Sequence, residues 1–426
     1  MKASQVKKGW RRPACAAIVG LAMLVLPAAA PAGQVPPGSP EDVGLSSERL
    51  ERIGEAMERH IEAGNITGAV TVVARGGRVA HFEAHGLMDL DSETPMRKDA
   101  AFRIMSMTKP IMAAAVLMML EEGKIGLADP VSKFLPEFAE MQVVAGTPGD
   151  AGSGNGGSGA SADPATVPAH REITIRDLLT HTSGLVQNAD RTPDDSLATY
   201  VPKLAKVPLE FQPGTDWAYS GLAGPDVLAR IVEIVSGQPF DQFLGGRIFE
   251  PLGMRDTMYF PSDELRPRVV TLYGITEQGF EKDPDPDRIS SKVYFSGGAG
   301  LVSTAHDYLQ FAQMLANGGE LNGKRLLSPR TVELMSSDHV GDLFDGKLPP
   351  LFPERGFGFG LQVAIMEDHI GAGWRLPNGS YGWLGAYGTQ VWINPGEDLV
   401  TLVMIQNMNP EVHRDFENAV VQALLD

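Results

Sequence analysis

Two hairpin signatures at opposite ends of the chain constrain its fold more than any other feature. Near the N-terminus, Ala69-Val70-Thr71-Val72-Val73 and Val79-Ala80-His81-Phe82 flank the pair Gly76-Gly77. Two β-rich runs around a Gly-Gly turn read as an antiparallel hairpin. Near the C-terminus, Gln390-Val391-Trp392-Ile393 and Leu399-Val400-Thr401-Leu402-Val403 flank Asn394-Pro395-Gly396 in the same way. A helix stands outside each hairpin. The first has Ser46 as N-cap, Leu45 and Leu50 placed as a hydrophobic staple, and Leu50, Ile53, Met57 and Ile61 at helical spacing. The second is expected from Phe416 to Leu425. The pattern predicts one antiparallel sheet built from both termini, covered by the terminal helices, with the middle of the chain inserted into it.

That middle is expected to be mostly helical. Leu228, Ile231, Val232 and Val235 keep helical period, and Gly237 is a natural stop. A helical subdomain is therefore placed at about 170–290, against a sheet subdomain at about 40–140 and 290–426. The stretch 145–168 is rich in Gly, Ser, Ala and Pro with almost no bulky side chain. It cannot bury enough apolar surface to offset its ordering entropy, so a flexible surface insertion is expected there.

Residues 1–32 read as a secretory signal peptide. Lys2, Lys7, Lys8, Arg11 and Arg12 form a basic head, Ala14 to Leu26 is apolar, and Ala28 to Ala32 offers small residues for cleavage. Export to the periplasm or the exterior follows as an expectation, with no stable membrane anchor once the signal is removed. Cleavage would move the formal charge from -17 to -22 and remove Cys15, the sole cysteine. The mature chain of 33–426 would then have no thiol chemistry. A strongly acidic chain without clustered Lys and Arg is a poor nucleic-acid binder, so no nucleic-acid partner is expected.

Three short motifs could carry chemistry. In Ser106-Met107-Thr108-Lys109, the apolar run Ile111 to Leu120 continues as a helix, so Ser106 sits at its start with Lys109 one turn on. Positions three apart share a helix face. A serine hydroxyl is a poor nucleophile until a neighbouring base takes its proton, and this spacing supplies one. The second motif is Tyr219-Ser220-Gly221, after Pro213-Gly214-Thr215. The third is Gly382-Trp383-Leu384-Gly385, just before the strand around Val391. No Gly-x-Ser-x-Gly or His-Glu-x-x-His occurs and the nine histidines are scattered, so neither a metal nor a cofactor is expected. His181, in Leu178-Leu179-Thr180-His181-Thr182-Ser183-Gly184, is read as structural in preference to a His–Ser pair.

The order and separation of these motifs resemble the serine β-lactamase-like superfamily, which includes class C β-lactamases, D,D-peptidases and family VIII carboxylesterases. Ile173 to Leu185, Phe249-Glu250-Pro251-Leu252-Gly253-Met254, Gly297 to Ser303 and Gly356 to Gly360 are similar to further stretches of that group. The resemblance implies an α/β (α+β) fold of the β-lactamase/transpeptidase type. It also implies Ser106 as nucleophile with Lys109 and Tyr219 as its base pair, either one being the base. The oxyanion would lie between the N–H groups of Ser106 and Ala386, and Trp383, Leu384 and Gly385 would bind substrate. Penicillin-directed members usually carry Lys-Thr-Gly at the third motif and Asn at the end of the second. Here Trp383 and Gly221 stand there, which is similar to the family VIII esterases. The expected function is hydrolysis of a small-molecule carboxylic ester through a Ser106 acyl-enzyme. A β-lactamase, a D-alanyl-D-alanine peptidase, or a penicillin-binding sensor without turnover is the alternative.

Overall fold

The computed structural model describes residue 1 and residues 34–145, 165–288, 291–348, 351–353 and 355–425. The expected signal peptide and most of the expected insertion lie outside them. Both ends of the chain meet in one sheet. Its eight strands are β1 (Gly68–Arg75), β2 (Arg78–Asp89), β3 (Thr94–Pro95), β4 (Phe357–Phe359), β5 (Ala364–Met366), β6 (Tyr381–Leu384), β7 (Gln390–Asn394) and β8 (Leu399–Met404). They run in the order β4-β5-β6-β7-β8-β1-β2-β3, every neighbouring pair antiparallel. The two expected hairpins join through β1 and β8, with Val70 opposite Met404 and Arg75 opposite Leu399. Gly76 and Gly77 turn the first hairpin at φ 58 and 68, a left-handed pair that other residues adopt at a cost.

Strand alternation divides the core into two layers. Val70, Val72 and Ala74 of β1 face a large cluster that includes helix α2 (Thr108–Glu121), helix α5 (Ala223–Ser236) and helix α6 (Ala305–Ala316). The shorter helices α3 (Ile175–Leu179) and α4 (Leu197–Leu204) extend it. Ala69 and Val73 face the opposite way, under helix α1 (Ser47–Glu62) and helix α7 (Pro410–Val421). Ser46 caps α1 by accepting from the Arg49 N–H at 3.3 Å, and Leu45 and Leu50 are buried together as the staple requires. In α2, every residue from Thr108 to Met119 is buried. A helix apolar on all sides belongs in a core, and Lys109 lies inside it.

Three expectations shift. The closing helix runs from Pro410 to Val421, not from Phe416 to Leu425, because Asn409 accepts from the N–H groups of Glu411 and Val412 and Pro410 fits the first turn. The end of the 145–168 stretch is a strand: Thr166–Pro168 pairs with Gln142–Val144, putting Val167 opposite Val143. The helical region also holds a hairpin, Tyr273–Thr276 with Gly279–Lys282.

Glu417 of α7 is buried beside Trp392 of β7. Burial pushes its carboxyl up from 4.5 to about 8, against the pull of the Trp392 indole. The folded chain therefore holds a proton that the unfolded chain releases. The resulting destabilisation is absent below 4.5, grows as pH rises, and is complete above about 8. Glu417→Gln is expected to gain on the wild type by about 1.4 kcal/mol per pH unit inside that window. Urea unfolding of both proteins at several pH values checks it, and a pH-independent difference would contradict a buried neutral acid.

Candidate active site

Ser106 lies in a 3-10 turn, Met105–Met107, immediately before α2. The strand Ala101–Arg103 delivers it, paired with Val302–Thr304. Met105 has φ 46, a left-handed conformation that costs a non-glycine residue on the order of 1 kcal/mol or more. Surrounding bonds hold it. The Ile104 N–H donates to Leu301 O at 3.0 Å, the Met107 N–H donates to Ile104 O at 3.0 Å, and Tyr308 Oη donates to Met107 O at 2.9 Å. Ser106 is half-buried, at the mouth of an otherwise buried helix.

Lys109 is 0% exposed, and its three ammonium protons have three acceptors. Nζ donates to Ser106 Oγ at 3.2 Å, to Gly221 O at 2.6 Å and to Gly298 O at 2.8 Å. A buried lysine costs several kcal/mol unless its hydrogen bonds are met, and here they are. The two carbonyls come from different segments that pack very closely. A Cβ on Gly298 would stand 2.5 Å from Gly221 O, so only glycine lets them converge. Asp226, in the first turn of α5, fixes the second segment. Its carboxylate accepts from Ser296 Oγ at 2.5 Å, from the Gly297 N–H at 3.0 Å and from Tyr294 Oη. Burial pushes Asp226 up to about 6, with those bonds and the Lys109 charge pulling the other way.

Tyr219 presents its ring to the same lysine, with Lys109 Nζ 4.9 Å from the ring centroid. Its hydroxyl has no hydrogen-bond partner among the described residues. Beneath the ring is His181, 4.9 Å away between centroids and fully buried. His181 has φ 60, and its Nδ1 accepts from the Ser220 N–H at 3.2 Å. Burial, then the Lys109 charge, hold its pKa well below 6.5, so the ring is neutral. Ser220 Oγ donates to Leu185 O at 2.7 Å and accepts from the Gly224 N–H at 2.8 Å. His181 thus supports the second motif from the core and pairs with no serine hydroxyl among the described residues.

The third motif is itself a strand, β6, and not only the entry to the strand around Val391. Trp383 is 2% exposed and Leu384 7%. Trp383 packs against Tyr219 at 5.6 Å, Phe359 at 5.3 Å and Phe352 at 5.7 Å, within an aromatic cluster that also holds Trp217 and Trp392. Gly385 ends the strand against residue 104. A Cβ there would lie 2.3 Å from Ile104 O and 2.5 Å from Thr389 Oγ1. Its N–H donates to Thr389 O at 2.7 Å, and Thr389 Oγ1 donates to Ile104 O at 3.3 Å. This clasp sets the loop 385–388 beside the turn that carries Ser106. Ala386 is exposed, and neither its N–H nor that of Ser106 donates to another group among the described residues. Tyr387, next in the chain, lines a cleft with Tyr273, Arg288, Asn407 and Met408.

The structure therefore brings Ser106, Lys109 and Tyr219 together and lays residues 385–388 alongside. Sequence reasoning missed the carbonyls of Gly221 and Gly298 and the whole Asp226–Tyr294–Ser296 anchor. The nearest signal was the Gly297-Gly298 pair, which only its neighbours explain.

A mixed sheet-and-helix fold with a Ser-x-x-Lys pair at the start of its central helix defines a serine hydrolase of the β-lactamase/transpeptidase type. The chain belongs to the Beta-lactamase family, whose model matches residues 53–425. It is 34% identical over 381 residues to Protein Rv1367c of Mycobacterium tuberculosis, covering 84% of this chain and 90% of that protein. It is 29% identical over 387 residues to Esterase EstB of Burkholderia gladioli, covering 83% and 89%. Among solved structures, EstCE1, a hydrolase with promiscuous acyltransferase activity, superposes with a TM-score of 0.72 at 28% identity, covering 88% of this chain and 99% of that one.

Proposed function

We propose that this hydrolase is a carboxylesterase that works through an acyl-enzyme on Ser106. The observation that carries the proposal is the Lys109 cradle. As a neutral amine, Lys109 would donate its two N–H bonds to Gly221 O and Gly298 O, which turns its lone pair towards Ser106 Oγ at 3.2 Å. That is the geometry of a general base. Ser106 Oγ gives its proton to Lys109 Nζ as it bonds to the ester carbonyl carbon. The carbonyl oxygen becomes an oxyanion between the N–H groups of Ser106 and Ala386, each donor contributing about 3–4 kcal/mol. Collapse breaks the C–O bond, and the leaving alkoxide takes a proton through Lys109 or the free Tyr219 hydroxyl. Water then repeats the sequence on the acyl group and restores Ser106.

Esters are favoured over penicillins and D-alanyl peptides by two positions. Trp383, inside the aromatic cluster, stands where penicillin-directed relatives place a carboxylate-binding lysine. Gly221 stands where they place an asparagine, although a Cβ there meets nothing within 4 Å. The esterase EstB and the hydrolase EstCE1 support the same assignment by similarity. The basic head and apolar run of residues 1–32 support export, and we infer an enzyme that acts outside the cytoplasm.

The test is a panel of short- and medium-chain p-nitrophenyl esters, a chromogenic cephalosporin and a D-alanyl-D-alanine peptide, offered to the mature chain. Esters are expected to give the highest kcat/KM by at least about tenfold, the discrimination one favourable pocket supplies. A cephalosporin or peptide turned over faster would overturn the proposal. So would an intact-mass adduct on Ser106 that never clears, which would mark a sensor without turnover.

A further inference from the structure

The chain carries a second group of reactive side chains that the hydrolytic site does not use. Along β2, His81, Glu83 and His85 alternate with Phe82 and Ala84, and the two-residue period of a strand puts all three on one face. That face looks towards α1. Thr71 lies directly opposite Glu83 in the β1–β2 register, and its neighbours on the same face, Ala69 and Val73, belong to the apolar layer under α1 and α7. His81 and His85 are buried at this level, while Glu83 reaches solvent. One ligand atom from each of the three side chains lies within 4.8 Å of the others.

Thr71 Oγ1 holds both rings, at 2.8 Å from His81 Nε2 and 3.0 Å from His85 Nε2. Neither Nδ1 has a hydrogen-bond partner among the described residues. A core layer has no packing need for two imidazoles, and burying them costs free energy unless their nitrogens are used. The roof of the group is backbone: a Cβ on Gly54 of α1 would sit 3.7 Å from His85 Cε1 and 3.8 Å from Glu83 Oε2.

We propose that His81, Glu83 and His85 form a site for a divalent transition metal on the α1 side of the sheet. Two imidazoles and one carboxylate suit Zn²⁺, with water completing a tetrahedron. Helix α2, which follows the turn that carries Ser106, packs in the cluster on the other face. The ion therefore braces β2 beneath α1 and takes no part in the hydrolytic step. This inference stands independently of the ester assignment.

The experiment uses the tag-free mature chain, stripped with a chelator and titrated with Co²⁺ and then Zn²⁺. One equivalent of Co²⁺ is expected to bind with the visible absorption of a tetrahedral site, to be displaced by Zn²⁺, and Zn²⁺ is expected to raise Tm. His85→Gln, which keeps an amide to meet Thr71, and Glu83→Gln are each expected to lose that absorption and the Tm rise. Should His85→Gln fail to fold, Glu83→Gln carries the test, because its side chain is exposed. Absence of saturable binding in the wild type, or binding unchanged in Glu83→Gln, overturns the proposal.

Discussion

Ser106→Ala is expected to lower kcat/KM for a p-nitrophenyl ester by about 10⁴-fold or more, the scale of losing a nucleophile. The effect should be confined to chemistry. Ser106 Oγ has Lys109 Nζ as its partner, and the lysine keeps Gly221 O and Gly298 O when the hydroxyl is gone. Ser106 is half-buried, so deleting one oxygen opens no sealed cavity. Unfolding should therefore stay within about 1 kcal/mol of wild type, the net worth of one hydrogen bond. Intact-mass spectrometry adds a second readout: the wild type should show a transient acyl adduct and the variant none. Activity within tenfold of wild type in Ser106→Ala would remove the serine from the mechanism and leave some other group attacking the ester.

The sheet was legible because its evidence is local. Val70 to Val73 and Leu399 to Val403 are β-branched or apolar runs beside turn residues, and each hairpin closes within a few positions. The joining of β1 to β8 spans the whole chain, yet it follows once both hairpins are seen to need a partner. The closing helix was misplaced at its start because apolar period marks helix interiors, whereas Asn409-Pro410 marks the beginning. The three site motifs were legible as residues of the right type at the right separation. Their connections were not. Asp226 reaches Tyr294, Ser296 and Gly297 from about seventy positions away, and nothing local to Asp226 distinguishes it from an acid in any first helical turn. Trp383 was legible as a departure from a lysine, but its packing on Tyr219 depends on the register of β6. The alternation of His81, Glu83 and His85 was present in the sequence and carried no spacing that a helical metal motif would have flagged.

Three strained residues stand where these elements meet. Met105, His181 and Gln362 all adopt positive φ without being glycine. Met105 precedes the serine and His181 lies under Tyr219. Gln362 donates from both its amide N–H and its side chain to Leu179 O, two residues before His181. Each conformation costs on the order of 1 kcal/mol or more, and each survives because neighbouring bonds leave it no alternative. The site is thus shaped before any substrate arrives. A preorganised site needs little rearrangement at the moment of reaction, which is where electrostatic stabilisation gains most.

Lys109→Met tests whether the lysine is the base or a buried prop. The two side chains are similar in length, so the core around α2 should remain filled. Stability should change little in net terms. Two carbonyls lose a donor, each costing about 1–3 kcal/mol if left unpaired, but the burial of an ammonium, itself costly, is removed. The rate should not be spared. Without a base, Ser106 must release its proton to water, and kcat is expected to fall on the order of 10²–10⁴-fold with KM nearly unchanged. Lys109→Arg separates charge from proton transfer, since a guanidinium keeps the charge and gives up no proton near neutral pH. If Lys109 acts only as a positive charge near the oxyanion, the arginine variant should recover much of the lost rate. If it is the base, both variants should be equally slow, and Tyr219→Phe should retain more activity than either. Wild-type kcat in Lys109→Met would mean that the cradle of Gly221 and Gly298 holds a structural lysine and that the proton from Ser106 goes to Tyr219.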